Sequence, residues 1–282
     1  MMHPATTPET KPMPRPVAIE RAVPPFTLAI DVGGSHVKAS VLDRGGAMIA
    51  APVRVRTPQP ATPQALLRAI DSLARMLPSF DRISVGFPGY VRRGRIYTAP
   101  NLGTERWAGF QLDRALTRRL RKPARVLNDA DVQGLGAIER RGLECVLTLG
   151  TGIGSSLFQD GHLLPHLELG QHPLLKGKTY DQYLGNAAAD KKGVHTWNRR
   201  LRKTIDIVRT LVNFDRLYLG GGNTRLVDFD LPRDVKITPN ADGMIGGVHL
   251  WEAALDPIFA PPRRKPNRAS KPPGRDARRP QP

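Results

Sequence analysis

The chain has 282 residues, 40% of them hydrophobic, which is enough to bury one large core or two moderate ones. Its single cysteine, Cys145, excludes an internal disulfide and any cysteine-rich zinc site, and no apolar run approaches the span of about twenty residues that crosses a bilayer. The formal charge of +18 favours polyanionic partners such as nucleic acid, an anionic surface or a chain of phosphates.

Residues 1–25 contain seven prolines and no apolar core of a signal peptide, so they read as a disordered segment. A soluble cytoplasmic protein is expected. Strands follow at FTLAID (26–31), VKASVLD (37–43) and AMIAAPV (47–53), joined by the tight turns Gly33-Gly34 and Gly45-Gly46 into an antiparallel meander. Leu66, Ile70, Leu73 and Leu77 recur at helical spacing and predict a helix near 64–77. Strand RISVGF (82–87), a long loop, a helix near 110–121 and strand ARVL (124–127) complete a first α/β lobe over 26–127.

The second half, 128–257, opens in the same way. CVLTLG (145–150) and SSLFQD (155–160) form a hairpin about a Gly-rich turn, and Trp197, Leu201, Ile205, Val208 and Val212 share one face of a helix near 196–213. Strands RLYLGG (216–221) and VKIT (235–238) and a last helix near 241–256, able to pack back on the first lobe, end the fold. The order of elements repeats, so two α/β lobes with a cleft between them are expected. Residues 258–282 read as a disordered Pro-rich tail with eight basic residues and one acid, which leaves about +10 on the body.

Three Gly-rich turns each follow an apolar strand. Gly33-Gly34-Ser35 comes after Asp31 and just before Lys38; Gly150-Thr151-Gly152-Ile153-Gly154-Ser155-Ser156 adds hydroxyl donors; Gly220-Gly221-Gly222-Asn223 ends a third strand. Such turns let the backbone approach a ligand and point N–H groups at an anion. One turn of this kind is ordinary; three in a two-lobed chain point to phosphate binding. In VLNDADVQGLGA (126–137), Asn128 or Asp129 suits a helix N-cap. Pro100-Asn101-Leu102 and His166-Leu167-Glu168-Leu169-Gly170 add polar groups in loops near the same strand ends, the convergent donors and acceptors that a sugar requires.

The set DVGGS, FPG, APNLG, LNDAD, LGTGIGSS, HLELG and LGGGN, in this order, resembles the ROK family of kinases and repressors, within the actin-like sugar kinase superfamily, and especially its polyphosphate glucokinase branch. The resemblance covers about residues 26–257. It implies two ribonuclease H-like lobes of the actin-like ATPase type. It implies Asp129 as general base, with Asn101, Asn128, Gly152, Glu168 and Gln171 around the sugar. Gly33, Gly34, Ser35, Lys38, Thr151 and Gly154 would then surround the transferred phosphate, and Gly221, Gly222 and Asn223 a nucleotide or polyphosphate. Asp31 would hold Mg²⁺ through water. The implied reaction is transfer from inorganic polyphosphate, with ATP as a further donor, to glucose, in a homodimer. The alternatives are an ATP-only hexose kinase and a non-catalytic sugar-binding member. ROK repressors carry an amino-terminal helix-turn-helix for which residues 1–25 are too short and Pro-rich, and the basic tail would bind nucleic acid only non-specifically. Two departures stand out. The Cys-rich zinc motif of many members is absent, and ELGH is ELGQ here, so Gln171 stands where the family has histidine, with His172 one position later. Arg92, Arg93, Arg95 and Arg106 are candidates for an anionic track.

Overall fold

The computed structural model describes residues 22–239 and 242–260; most of the segments expected to be disordered, 1–21 and 261–282, lie outside the described residues. The first half of the chain forms β1 (Thr27–Val32), β2 (His36–Leu42), β3 (Val53–Arg56), α1 (Pro63–Arg75), β4 (Arg82–Phe87), the ribbon β5 (Val91–Arg92) and β6 (Arg95–Ile96), α2 (Thr104–Trp107), α3 (Leu112–Leu120) and β7 (Ala124–Asn128). The second half forms α4 (Asp129–Ala137), β8 (Leu143–Leu149), β9 (Ile153–Gln159), β10 (His162–Leu163), the pair β11 (Pro173–Leu175) and β12 (Lys178–Thr179), α5 (Tyr180–Leu184), α6 (Asn186–Lys192), α7 (Val194–Val212), β13 (Arg216–Gly220), β14 (Val235–Ile237), α8 (Asp242–His249) and α9 (Asp256–Phe259).

The two large sheets have the orders β3-β2-β1-β4-β7 and β10-β9-β8-β13-β14. In each, a hairpin is antiparallel and the strands beyond it are parallel to its first strand. The repeat of element order in the sequence is therefore a repeat of topology, and the fold is that of the actin-like ATPase superfamily with ribonuclease H-like lobes.

Parallel strands covered on both faces read as continuous apolar runs, and β1 and β4 do. One face meets α1 and α3 through Leu66, Ile70, Leu73, Leu112 and Leu116. The opposite face meets α8, where Ala29 and Leu42 pack on Met244 and Val248. Helix α1 begins where Thr62 accepts from the Ala65 N–H and Pro63 takes the first turn. In the second lobe α7 buries Trp197, Leu201, Ile205 and Val208, and the Trp197 indole N–H donates to the Leu184 carbonyl at 2.7 Å.

Helices α4 and α8 lie between the sheets. Helix α4 buries Val132 and Leu135 in the same cluster as Val146 and Phe158. The helix pair crosses so closely that a side chain at Gly246 would run into the Val132 carbonyl. Helix α4 stops before Ile138, and α8 ends early, spanning eight residues rather than the sixteen expected over 241–256. Past His249 the chain turns through Trp251, whose indole N–H donates to Ser84 Oγ at 2.8 Å, into a short 3₁₀ turn and α9. Ile258 and Phe259, assigned to the tail in the sequence, pack against the core cluster of α4. The expected strand 47–53 is also displaced. Its first half makes a single bridge, Met48 to Leu42, and pairing with β2 resumes only at Val53 opposite Ala39, beyond Pro52, which has no N–H for the ladder.

Candidate active site

Strand ends from both sheets point their turns into one cleft of about 310 Å³. Its walls include Asp31, Gly33, Gly34 and Lys38 from the β1–β2 turn and Thr151, Gly152 and Gly154 from the β8–β9 turn. Gly221 and Gly222 after β13, Asn101, Asn128, Asp129, Glu168 and Gln171 complete the predicted set that lines it. The backbone at Gly221 has φ +85°, and a side chain there would collide with the backbone of Leu149, so β8 and β13 hold the third turn against the second.

Two predicted residues do not line the cleft. Ser35 is exposed at the far side of its turn, where its carbonyl accepts from the Thr57 N–H at 2.9 Å. Asn223 is buried and donates to Asn186 Oδ1 at 2.7 Å and to the Gly150 carbonyl at 3.4 Å, so it ties the third turn to the second. The arginines Arg92, Arg93, Arg95 and Arg106 stand on the β5–β6 ribbon and α2, outside the cleft wall. His172 is also outside: it is exposed and its ring lies 6.5 Å from that of Tyr180.

The N-cap of α4 is Asn128, not Asp129. Asn128 Oδ1 accepts from the N–H groups of Ala130 (2.8 Å) and Asp131 (3.3 Å), and its amide donates to the Gly89 carbonyl at 3.1 Å, leaving one N–H. This frees Asp129 from capping and sets it in the first turn, at the positive end of the helix dipole. Its Oδ1 accepts from the Ala130 N–H at 2.9 Å. Burial, followed by the negative charges of Asp31 and Asp131, outweighs that hydrogen bond and raises the Asp129 carboxyl to about 7. A carboxyl held near neutrality in a cleft is poised to accept a proton. Burial also raises Asp31, against the pull of Lys38, whose Nζ lies 3.7 Å from Asp31 Oδ2.

Among the described residues no group of three His, Cys, Asp or Glu side chains could hold a metal alone. Mg²⁺ needs no such cage, because it binds through one or two carboxylates and substrate phosphates while keeping several waters. Asp31, only partly compensated by Lys38 and beside an amide-lined turn, fits that demand.

Two residues with partners distant in sequence, Asp181 and His166, complete the site. Asp181 Oδ1 accepts from the Ile153 N–H at 2.6 Å and Oδ2 from Gln171 Nε2 at 2.8 Å, so one carboxylate fixes both the β8–β9 turn and Gln171. The Gln171 amide uses one N–H on Asp181, which leaves its second N–H and its oxygen for a ligand. Behind Glu168, His166 stacks on Tyr90 at 5.8 Å and contacts Asp131. The capping box Thr179–Gln182 marks the start of α5 in the sequence and places Asp181 in its first turn, a local signal that could have flagged the helix but not its reach into the cleft.

Among the described residues no helix is long and apolar enough to cross a membrane. The chain is 31% identical over 236 residues to the polyphosphate glucokinase of Mycobacterium leprae, covering 78% of this chain and 72% of that one. Among solved structures, the inorganic polyphosphate/ATP-glucomannokinase of Arthrobacter sp. strain KM superposes with a TM-score of 0.72 at 30% identity, over 79% of this chain and 97% of that one. A ROK family glucokinase from Streptomyces griseus, determined with glucose and AMPPNP, shares the fold at 18% identity with a TM-score of 0.64, over 80% of this chain and 98% of that one. The model of the ROK family matches residues 27–168. With half its length under that model and 31% identity to a relative covered over 72% of its length, the chain belongs to the ROK family.

Proposed function

We propose that the chain is a hexokinase-type phosphotransferase that moves a phosphoryl group from inorganic polyphosphate, with ATP as a second donor, to the primary hydroxyl of glucose, giving glucose 6-phosphate. The observation that carries this reading is a carboxyl raised to about 7, at position 129, in the same cleft as three amide-lined glycine turns. Asp129 accepts the proton of the hydroxyl while the sugar oxygen bonds to the terminal phosphorus and the bond to the bridging oxygen breaks. The shortened donor leaves with that oxygen. The amide N–H groups of Gly34, Thr151 and Gly152, which line the cleft, together with Lys38, take up the charge on the equatorial oxygens. Asn101, Asn128, Gly152, Glu168 and Gln171 hold the sugar so that one hydroxyl faces Asp129. Asp31 and the phosphate oxygens would hold Mg²⁺, which supplies further charge neutralisation when bound.

The donor is argued from charge and from relatives. The body retains an excess of about +10, and two similar proteins are described as polyphosphate enzymes. An ATP-only kinase is the second reading, favoured by Gly221 and Gly222 in the cleft wall where an adenosine would lie.

A coupled assay that offers glucose, mannose and other hexoses against polyphosphate and ATP separates these readings. With polyphosphate the KM for the donor should climb steeply with salt, because a polyanion is held by many screened contacts. The ATP rate should depend on salt far less. Consumption of ATP alone selects the second reading, and phosphorylation of no hexose by either donor rejects both.

A further inference from the structure

Behind the cleft wall sits a cluster that the transfer step does not use. His166 has a side chain only 7% exposed, with Nδ1 3.1 Å from Asp131 Oδ1 and Nε2 3.4 Å from Glu168 Oε1. Its ring lies nearly parallel to that of Tyr90, which is itself packed on Tyr97. Asp131 is on α4, two residues after Asp129; Glu168 lines the cleft; Tyr90 belongs to the loop after β4. One imidazole therefore touches the helix that carries the base, a carboxylate facing the sugar, and the first lobe. Nε2 is buried and off the hydrogen-bonding direction of Glu168, so that a small turn of Glu168 would complete the bond. Thr98 Oγ1, also from the first lobe, reaches the same Glu168 oxygen at 3.5 Å.

We propose that His166 is a positioning residue: wedged between Asp131 and Glu168, it holds the Glu168 carboxylate toward the sugar and ties it to the helix that presents Asp129. This rests on the reading that Glu168 contacts the sugar. The charges around it explain the need. Asp129, Asp131, Glu168 and Asp181 converge from α4, the 166–168 loop and α5, and each repels at least one other. Tyr90 contributes only its ring face. Lys38, paired with Asp31, is the one cation among the described residues that line the cleft; His166 opposes the charges of Asp129 and Asp131, while Asp181 is held by the Ile153 N–H and Gln171. Burial by itself would strip its proton, but Asp131 and Glu168 hold it on, and His166 is raised to about 10. A doubly protonated ring donates from both nitrogens, one to each carboxylate. Without it, the partly exposed Glu168 would lose its buried partner and swing toward water, which removes an acceptor that the sugar needs.

The experiment compares wild type with His166→Gln, which keeps reach and a donor but loses the charge, and His166→Arg, which keeps the charge. The Gln variant is expected to raise the KM for the hexose roughly ten- to a hundredfold, the scale of one charge-assisted hydrogen bond, with the donor KM within about twofold. Its acid limb of kcat should move to higher pH, because Asp129 loses a nearby positive charge. Arg should recover part of the hexose affinity. A Gln variant with unchanged hexose KM and unchanged pH profile overturns the proposal. Should that variant fail to fold, ¹⁵N-histidine spectra of the wild type decide: both His166 nitrogens protonated at pH 8 supports the clamp, and a neutral ring at that pH refutes it. If the wild type phosphorylates no hexose, the functional reading itself has failed, which is a different result from an active enzyme indifferent to His166.

Discussion

Replacing Asp129 by Asn should make the protein more stable at alkaline pH while it stops turnover. The carboxyl is lifted from 3.8 to about 7 by burial and by the charges of Asp31 and Asp131. At about 1.36 kcal/mol per unit, ionising it in the folded protein costs ~4 kcal/mol more than in the unfolded chain. The cleft admits water, which screens part of this and leaves an expected ~1–3 kcal/mol. The sign follows from proton binding. Between 3.8 and 7 the folded state binds the proton and the unfolded state releases it, so this group's contribution is fully present below 3.8 and lost as pH rises through about 7. Asn carries no charge and suffers no such loss. Thermal unfolding of both proteins at pH 4, 6 and 8 should show curves that nearly coincide at pH 4 and separate progressively to pH 8, with the Asn variant higher there by roughly 3–10 °C for a domain of this size. An Asn variant equally or less stable than wild type at pH 8 would refute the strained-carboxylate reasoning.

Three further outcomes follow from the same structure. The rate at saturating donor should rise with pH through a single ionisation near 7, measured as kcat/KM for the hexose from pH 5 to 9, because only the ionised Asp129 accepts a proton. Asp181→Ala should lower stability by ~1–3 kcal/mol and raise both substrate KM values, since the Ile153 N–H and the Gln171 amide lose their shared acceptor; urea unfolding and initial rates read both effects. Gly246→Val should cost about 1–3 kcal/mol or prevent folding, as its side chain meets the Val132 carbonyl between α4 and α8, and a Tm equal to wild type would contradict the close crossing.

What the sequence disclosed was the part with local causes. Apolar strands ending in glycine pairs announced the three turns, and the helical spacing of Leu66, Ile70 and Leu73 announced α1, because strand and helix periodicity are written in neighbouring residues. The cap at the head of α4 was narrowed to two residues and resolved by geometry in favour of Asn128. Strand 47–53 was misplaced because its apolar run, with Ile49 and Val53, reads as a strand, whereas Pro52 interrupts the ladder. Helix α8 was overextended since apolar residues continue past His249 into turns fixed by tertiary contacts such as Trp251 with Ser84. Asp181 was missed, and His166 was read only as one of several polar loop groups, for a related reason. Their partners lie 28 and 35 residues away, at Ile153 and Asp131, and nothing in their own neighbourhoods reports those contacts. The place of Gln171 likewise needed the fold: only its bond to Asp181 shows that it, rather than His172, faces the cleft.

The most direct test of the account pairs turnover with binding in Asp129→Asn. Product formation from glucose and either donor should fall by at least two to three orders of magnitude, the usual scale for losing a general base, while calorimetric titration finds the affinity for glucose within a few fold of wild type. Near-full turnover in that variant would contradict the claim that a carboxyl at position 129 takes the proton of the attacking hydroxyl.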